Sequence, residues 1–312
     1  MKKKIIFFGT PDFAVRSLSD LIKLKLNVIA VITNPDKKSG RGKKITFSPI
    51  KIFCLEKKIK ILQPEHLFDD DFEKLIQALK PDIGIVVAFK KIPKKIWQIP
   101  VYGTFNLHAS LLPELRGAAP INWAIAHGFR YTGVTTFLLN EKIDSGKILL
   151  QKKVKIDPIE NYKTLHDKLS EIGSDLVKKT IENIINNKGF TQKTTGNEIL
   201  APKLTVDNTK INWNKKIDEI ESFVRAMSPY PGAWTEVKSN EVIVKIKIFK
   251  LKLLDRIKHK NLNIIFTKKN IFIHHKNGTY SIEELQLPNK KRMSVRDLLN
   301  GYTFDSKLKL VH

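Results

Sequence analysis

Hydrophobic and polar positions fall into distinct textures along the chain. Lys4–Gly9 is a short apolar run ending in glycine, the pattern of a buried parallel strand that feeds a tight turn. Phe13, Val15, Leu18, Leu21, Ile22 and Leu24 then recur at helical spacing, and 27–33 is a second apolar run. A helix closes over 75–79 before Pro81, and 82–88, 103–108, 132–139 and 148–154 supply further strands. Strands alternating with helices predict βαβ units, right-handed crossovers and an α/β fold with a Rossmann-like, mostly parallel sheet. Ligands of such sheets sit beyond the carboxyl ends of the strands, here just after Gly9, Thr33, Ala88, His108 and Leu139.

An amphipathic helix follows over 162–187, and then a polar stretch, 188–208, rich in Thr, Asn and Gly. It reads as an interdomain linker. Beyond it, 242–251 alternates Ile, Val and Phe with Lys in period two, and 264–266 and 271–274 are short apolar runs. That texture predicts a small antiparallel β-barrel. The boundaries drawn from the pattern are residues 1–188 for the α/β domain, 189–207 for the linker and 208–312 for the barrel.

Composition narrows the chemistry. With 42% hydrophobic residues the chain buries a real interior. Cys54 is the one cysteine, so no intramolecular disulfide forms, and neither structural zinc nor another metal is expected. The apolar start stops too early for a secretory segment and nothing approaches a membrane span, so the expected location is the cytoplasm. The net charge is +25, carried by 48 lysines against 8 arginines. So lopsided a ratio is as consistent with genome bias as with selection for a polyanion, and the charge admits a nucleic-acid partner without naming one.

Chemistry concentrates at the end of the strand over 103–108. Asn106 and His108 alternate onto one face of that strand. An amide donor beside an imidazole could polarise a carbonyl and hold the oxyanion formed on attack. Taken alone, the pair is as readily a satisfied core histidine beside a strand-end amide. Asp144, in Asp144-Ser145-Gly146 after the strand over 132–139, could favour a charged His108 or take a proton from an attacking amine. On spacing alone it is an ordinary turn residue before glycine.

The run Asn106-Leu107-His108-Ala109-Ser110-Leu111-Leu112-Pro113, the following Arg116-Gly117-Ala118-Ala119-Pro120 and the later Asp144-Ser145-Gly146 resemble the formyltetrahydrofolate-dependent formyltransferase family. The resemblance implies that Asn106, His108 and Asp144 are the catalytic trio. It places Ser110, Leu111, Leu112 and Pro113 against the folate, with Val87, Ala88 and Phe89 at the same pocket, and makes 10-formyltetrahydrofolate the co-substrate. Residues 8–13 and the loop from Asn34 to Lys44 are similar to the branch of the family that formylates the amine of methionyl initiator tRNA. In that branch the basic loop, here Arg41, Lys43 and Lys44, reaches the acceptor stem. Glycine on both sides of Arg41 and the fit of guanidinium to phosphate agree with this.

The likeness continues through Arg225–Trp234 and residues 294–299, and it implies that the C-terminal domain is an OB-like β-barrel that grips tRNA. A monomer is expected. Two departures stand out: Lys90 where the family usually has Gly, and Lys142 two residues before Asp144, where Gly is common. Rival readings are transfer to another amine such as a sugar nucleotide, hydrolysis of formyltetrahydrofolate, and a non-catalytic RNA-binding protein. The intact trio opposes the last. A purine-pathway enzyme should lack the C-terminal third, and a sugar-nucleotide enzyme has little use for the Arg41 loop.

Overall fold

The computed structural model describes residues 2–39, 44–186, 198–239, 242–302, 304 and 309–311. The chain forms two compact units. The first comprises Met1–Gly117, Tyr131–Lys155 and His166–Ala201; the second comprises Ala118–Arg130, Ile156–Leu165 and Pro202–His312.

The chain begins with β1 (Lys4–Gly9), α1 (Asp12–Lys23), β2 (Asn27–Ile32), β3 (Lys37–Ser39), β4 (Lys44–Thr46) and α2 (Pro49–Glu56). Next come β5 (Ile61–Leu62), α3 (Asp70–Leu79), β6 (Ile83–Val87), α4 (Lys94–Trp97), β7 (Thr104–His108) and β8 (Arg116–Gly117). After α5 (Pro120–Ala126) follow β9 (Tyr131–Leu138), β10 (Ile148–Lys155), α6 (Tyr162–Ile185) and β11 (Leu200–Ala201).

The main sheet has the order β10-β9-β7-β6-β1-β2-β5. β1 lies inside the sheet between β6 and β2 and is apolar from Ile5 to Phe8 because both faces are covered. Ile6 and Phe8 join Ile32 and Val86 in packing against Phe72 and Ile76 of α3 and Ile96 of α4. Ala14, Leu18 and Leu21 of α1 are also buried against the sheet. Gly9 closes β1 because α1 begins so near: a Cβ there would lie 2.7 Å from that of Ala14.

The strands β1, β2, β5, β6 and β7 are parallel, as the βαβ pattern predicts. At the other edge the direction changes. β9 runs antiparallel to β7 and β10 antiparallel to β9. The end of β9 therefore lies at the amino end of β7, where the Leu139 N–H donates to the Thr104 carbonyl (2.8 Å). This corrects the expectation that the position after Leu139 joins the other strand ends.

The second unit holds α5, α7 (Ile217–Ala226), β12 (Ala233–Ser239), β13 (Val242–Asp255), β14 (Asn263–Phe266) and β15 (Ile271–His275). It continues with β16 (Gly278–Gln286), β17 (Met293–Ser294), α8 (Val295–Leu299) and β18 (Lys309–Val311). The antiparallel order is β14-β15-β16-β13-β12-β18, with β14 and β18 against each other, so the sheet nearly closes into a barrel. Period two holds on β13 while Ile246 and Ile248 point inward. It breaks at the register shifts around Lys250, where Ile248 and Phe249 are both buried. The strand then runs on to Asp255, beyond the predicted end. Among the described residues no helix is long and apolar enough to cross a membrane.

Candidate active site

β7 has the sequence Thr-Phe-Asn-Leu-His, and alternation sorts it by face. Phe105 and Leu107 point into the core, Leu107 against Gly173 of α6, so Asn106 and His108 share the opposite face. Asn106 is half-buried, and its amide has no hydrogen-bond partner among the described residues. His108 is 6% exposed, with Nε2 2.9 Å from the Leu115 carbonyl oxygen. A carbonyl only accepts, so the ring carries a hydrogen on Nε2 and turns Nδ1 toward Asp144 Oδ2, 3.8 Å away.

Asp144 arrives by a different route from the one its sequence position suggests. Because β9 is antiparallel, the segment after Leu139 starts at the amino end of β7 and must return along that strand to meet His108. The return is braced at Asn140, whose Oδ1 accepts from the Lys142 N–H and the Ser145 hydroxyl, both at 3.1 Å. Asp144 itself has a left-handed backbone (φ 48°), and its Oδ2 accepts the Gly117 N–H at 3.0 Å. The carboxylate is thus fixed from β8 while it faces the imidazole. The structure therefore sets Asp144 against His108, and Asn106 shares the imidazole's face of β7.

The loop after His108 is held from below by residues that sequence reading missed. The Thr135 hydroxyl donates to the Ser110 carbonyl (2.6 Å) and accepts the Leu112 N–H (3.2 Å). Gln151, opposite Thr135 on β10, donates to the Leu112 carbonyl at 2.8 Å. The Ser110 hydroxyl closes the turn on the Glu114 carbonyl (2.6 Å). Ser110, Leu112 and Pro113 are buried, Leu112 beside Phe137 and Ile148, whereas Leu111 keeps part of its surface open. Their strands carry other polar residues as well, Thr132 and Thr136 on β9 and three lysines on β10, so polarity alone did not single out Thr135 or Gln151.

Val86 pairs with Asn106 and Val87 with Leu107, so the next step along β6 brings Ala88 level with His108. Val87 is buried. Ala88 is exposed with a left-handed backbone (φ 49°), uncommon for a residue with a Cβ, and Phe89 leans on Phe8 with ring centroids 5.7 Å apart. Lys90 and Lys142 are both exposed. An open cleft of about 740 Å³ is lined by Arg116, Asn140, Lys142, Ser145 and Glu198 among others, alongside the loop that carries Asp144. A second cleft, about 780 Å³, is lined by Asp69, Asp70 and Asp71 and contains none of the trio. Cys54 is buried in α2, which pushes its thiol up to about 11 and leaves no thiolate for chemistry.

Of the expected tRNA-binding residues, Arg41 and Lys43 lie outside the described residues, as does the side chain of Lys44. Flanking them, β3 and β4 pair antiparallel with Ser39 opposite Lys44. Just before β3, Asp36 meets Lys51 (2.5 Å) and Gln63 (3.0 Å), hydrogen bonds that hold its carboxyl below the usual carboxylate range.

Comparison with known proteins finds matches along nearly the whole chain. A family model described as formyl transferase matches residues 3–181, and one described as formyl transferase, C-terminal domain, matches residues 203–303. The chain is 46% identical to the methionyl-tRNA formyltransferase of Flavobacterium johnsoniae, covering 99% of each chain. It is 42% identical to that of Bacteroides thetaiotaomicron, covering 99% of this chain and 100% of the relative. A solved N-formyltransferase from Helicobacter canadensis, in complex with folinic acid and dTDP-3-aminofucose, matches with a TM-score of 0.66 at 23% identity, over 94% of this chain and 100% of that one. HypX from Aquifex aeolicus, in complex with tetrahydrofolic acid, matches with a TM-score of 0.65 at 17% identity. That match covers 96% of this chain and 47% of the longer one. At such identities the two structures speak to the fold alone.

Proposed function

The chain belongs to the formyl transferase family in both its N-terminal and C-terminal parts, and on that premise we propose that it moves the formyl group of 10-formyltetrahydrofolate onto the free α-amine of methionyl initiator tRNA. The observation that carries this reading is His108, buried between the Leu115 carbonyl and the Asp144 carboxylate, on a face where the Asn106 amide has no hydrogen-bond partner among the described residues. A half-buried amide with open donors beside an imidazole suits the oxygen of a formyl group.

The folate supplies an activated formyl carbonyl, and the protein supplies donors and charge. Asn106 donates an amide N–H to the formyl oxygen, which gains negative charge as the amine attacks. The 3.8 Å between His108 Nδ1 and Asp144 exceeds a hydrogen bond, so a protonated Nδ1 can donate to that same oxygen. Asp144 lies near enough to offset the imidazolium charge and, through water, to take the proton that the amine sheds. Transfer is direct: the amine bonds to the formyl carbon, the oxyanion collapses as the bond to the folate nitrogen breaks, and that nitrogen leaves with a proton while the amine gives one up. The co-substrate lies against the Ser110–Pro113 turn, with Leu111 the open side chain, and beside Val87, Ala88 and Phe89.

Arg41, Lys43 and Lys44 reach the acceptor stem. Residues 1–188 carry the chemistry, 189–207 link, and 208–312 hold the tRNA, through 21 Lys and Arg against 10 Asp and Glu from Asn208 onward. A charged tRNA is met where ribosomes work, in the cytoplasm, and the protein acts there as a monomer. The test is formyl transfer from 10-formyltetrahydrofolate to charged initiator and elongator tRNAs by wild type and Arg41→Ala. Transfer confined to the initiator and weakened by the substitution is expected. Deformylation of the folate with neither tRNA modified would replace this reading with hydrolysis or another acceptor.

A further inference from the structure

We propose that the short strand β11 is a positioning element for the reaction, because by pairing with β8 it fixes the stretch of backbone that orients both His108 and Asp144. The inference rests on the roles given to those two residues above and adds what holds them.

Both polar contacts come from one three-residue segment. The Leu115 carbonyl takes the Nε2–H of His108 at 2.9 Å, and the Gly117 N–H reaches Asp144 Oδ2 at 3.0 Å. Both use main-chain atoms, so what matters is the path of residues 115–117 and not the side chains they carry. That path is not one the local sequence would choose. Leu115 has φ 58° and Gly117 φ 125°, values that a residue with a Cβ rarely adopts. Leu115 is buried, which anchors one end of the segment.

The other end depends on β11. The pair β8-β11 forms a sheet of its own, with Leu200 opposite Arg116 and Ala201 opposite Gly117 in parallel register. Glu198, just before β11, makes an ion pair with the Arg116 guanidinium. The approach at Gly117 is close: a Cβ there would sit 2.4 Å from the Ala201 carbonyl oxygen, so only glycine admits the neighbouring strand. Two strands alone are marginally stable in water. Without β11, residues 115–117 would have little to hold them in a left-handed path. Catalytic groups displaced by about 1 Å lose on the order of a hundredfold in rate. β11, Arg116 and Glu198 touch no reacting atom in this scheme and act only through the Leu115 carbonyl and the Gly117 amide.

The test uses the full-length chain, with kcat measured at saturating 10-formyltetrahydrofolate and charged initiator tRNA. Ala201→Pro removes an N–H from β11, and Glu198→Ala removes the ion pair. Each is also built into an Asp144→Asn background. Ala201→Pro should lower kcat by about ten- to a hundredfold, and Glu198→Ala by about threefold, with the KM for the folate within about twofold of wild type. In the Asp144→Asn background the same changes should cost less than they do in wild type, because one of the two groups they position is already lost.

Losses that multiply in the double variants would mean a general structural role and overturn the proposal, as would wild-type kcat in both single variants. Should Ala201→Pro not fold, judged by thermal unfolding, the Glu198→Ala cycle decides on the same criteria. Wild type that transfers no formyl group would overturn the assigned reaction and this role with it. Normal transfer by wild type with unaffected linker variants would overturn the positioning role alone.

Discussion

His108 in the first unit and His275 in the second are both buried, at 6% and 1% exposure, and each directs Nε2 at a main-chain carbonyl. The partners are Leu115 at 2.9 Å and Trp213 at 2.8 Å. The rings differ at the other nitrogen. His275 Nδ1 accepts the Asn277 N–H at 3.2 Å, which fixes a neutral tautomer with both nitrogens satisfied. Burial pulls its pKa below the ordinary value, the lysine beside it helps, and the bond to Trp213 opposes them. His108 Nδ1 instead faces a carboxylate just beyond hydrogen-bond reach, on a strand face shared with the Asn106 amide, which has no partner among the described residues. The same residue with the same first contact is satisfied at both nitrogens in one unit, and in the other it keeps one nitrogen open for the role proposed above. What stands at the second nitrogen makes the difference, and burial alone would not separate them.

One substitution applied to both histidines breaks the comparison most sharply. We expect His108→Gln to lower kcat by about 10³-fold, as loss of a general acid–base group does, and His275→Gln to leave kcat within about twofold. Asp144→Asn should approach the His108 effect, since an amide then stands where the carboxylate faced Nδ1. Asn106→Ala should cost on the order of a hundredfold in kcat with little change in KM, the signature of a donor used in the transition state; matched losses in binding would contradict that role.

The second unit should respond in stability. His275→Gln leaves a buried carbonyl or amide poorly paired and should cost about 1–3 kcal/mol, read by urea unfolding followed through the tryptophans of the barrel unit. A pH dependence follows from the same residue. Its folded-state pKa lies below 6.5, so as pH falls the unfolded chain takes up the proton first. The stability present above the ordinary value is therefore lost as pH drops from about 6.5 through the depressed value. Burial lowers His127 and His274 in the same unit as well, so unfolding at pH 5 and pH 7 should differ in wild type and differ less in His275→Gln. The smallest effect expected is for Thr135→Val, about 1–2 kcal/mol, from loss of the hydroxyl that ties Ser110 to Leu112.

The elements that follow local periodicity were legible in the sequence. β1 begins and ends where its apolar run does, and period-two alternation correctly put Asn106 and His108 on one face. The barrel was visible in the alternation of lysine with Ile and Val on β13, up to the register shifts that no alternation can foretell. The reversal of β9 was not visible, because a buried strand reads the same in either direction. Asp144 was therefore found through its motif and not by geometry. The clamp at Leu115 left no trace either, since a leucine gives no sign of a left-handed backbone, while Gly117 was noticed only as part of a resemblance. Thr135 and Gln151 hid because their partners are main-chain atoms of a loop far away in sequence.

The most direct test is single-turnover formyl transfer from 10-formyltetrahydrofolate to charged initiator tRNA, with wild type, His108→Gln and His275→Gln run side by side on protein shown to be folded. Transfer by wild type and His275→Gln at similar rates, with His108→Gln slowed by about 10³-fold, is the expected result. Equal rates for the two variants would contradict the assignment of the chemistry to His108 and its partner Asp144.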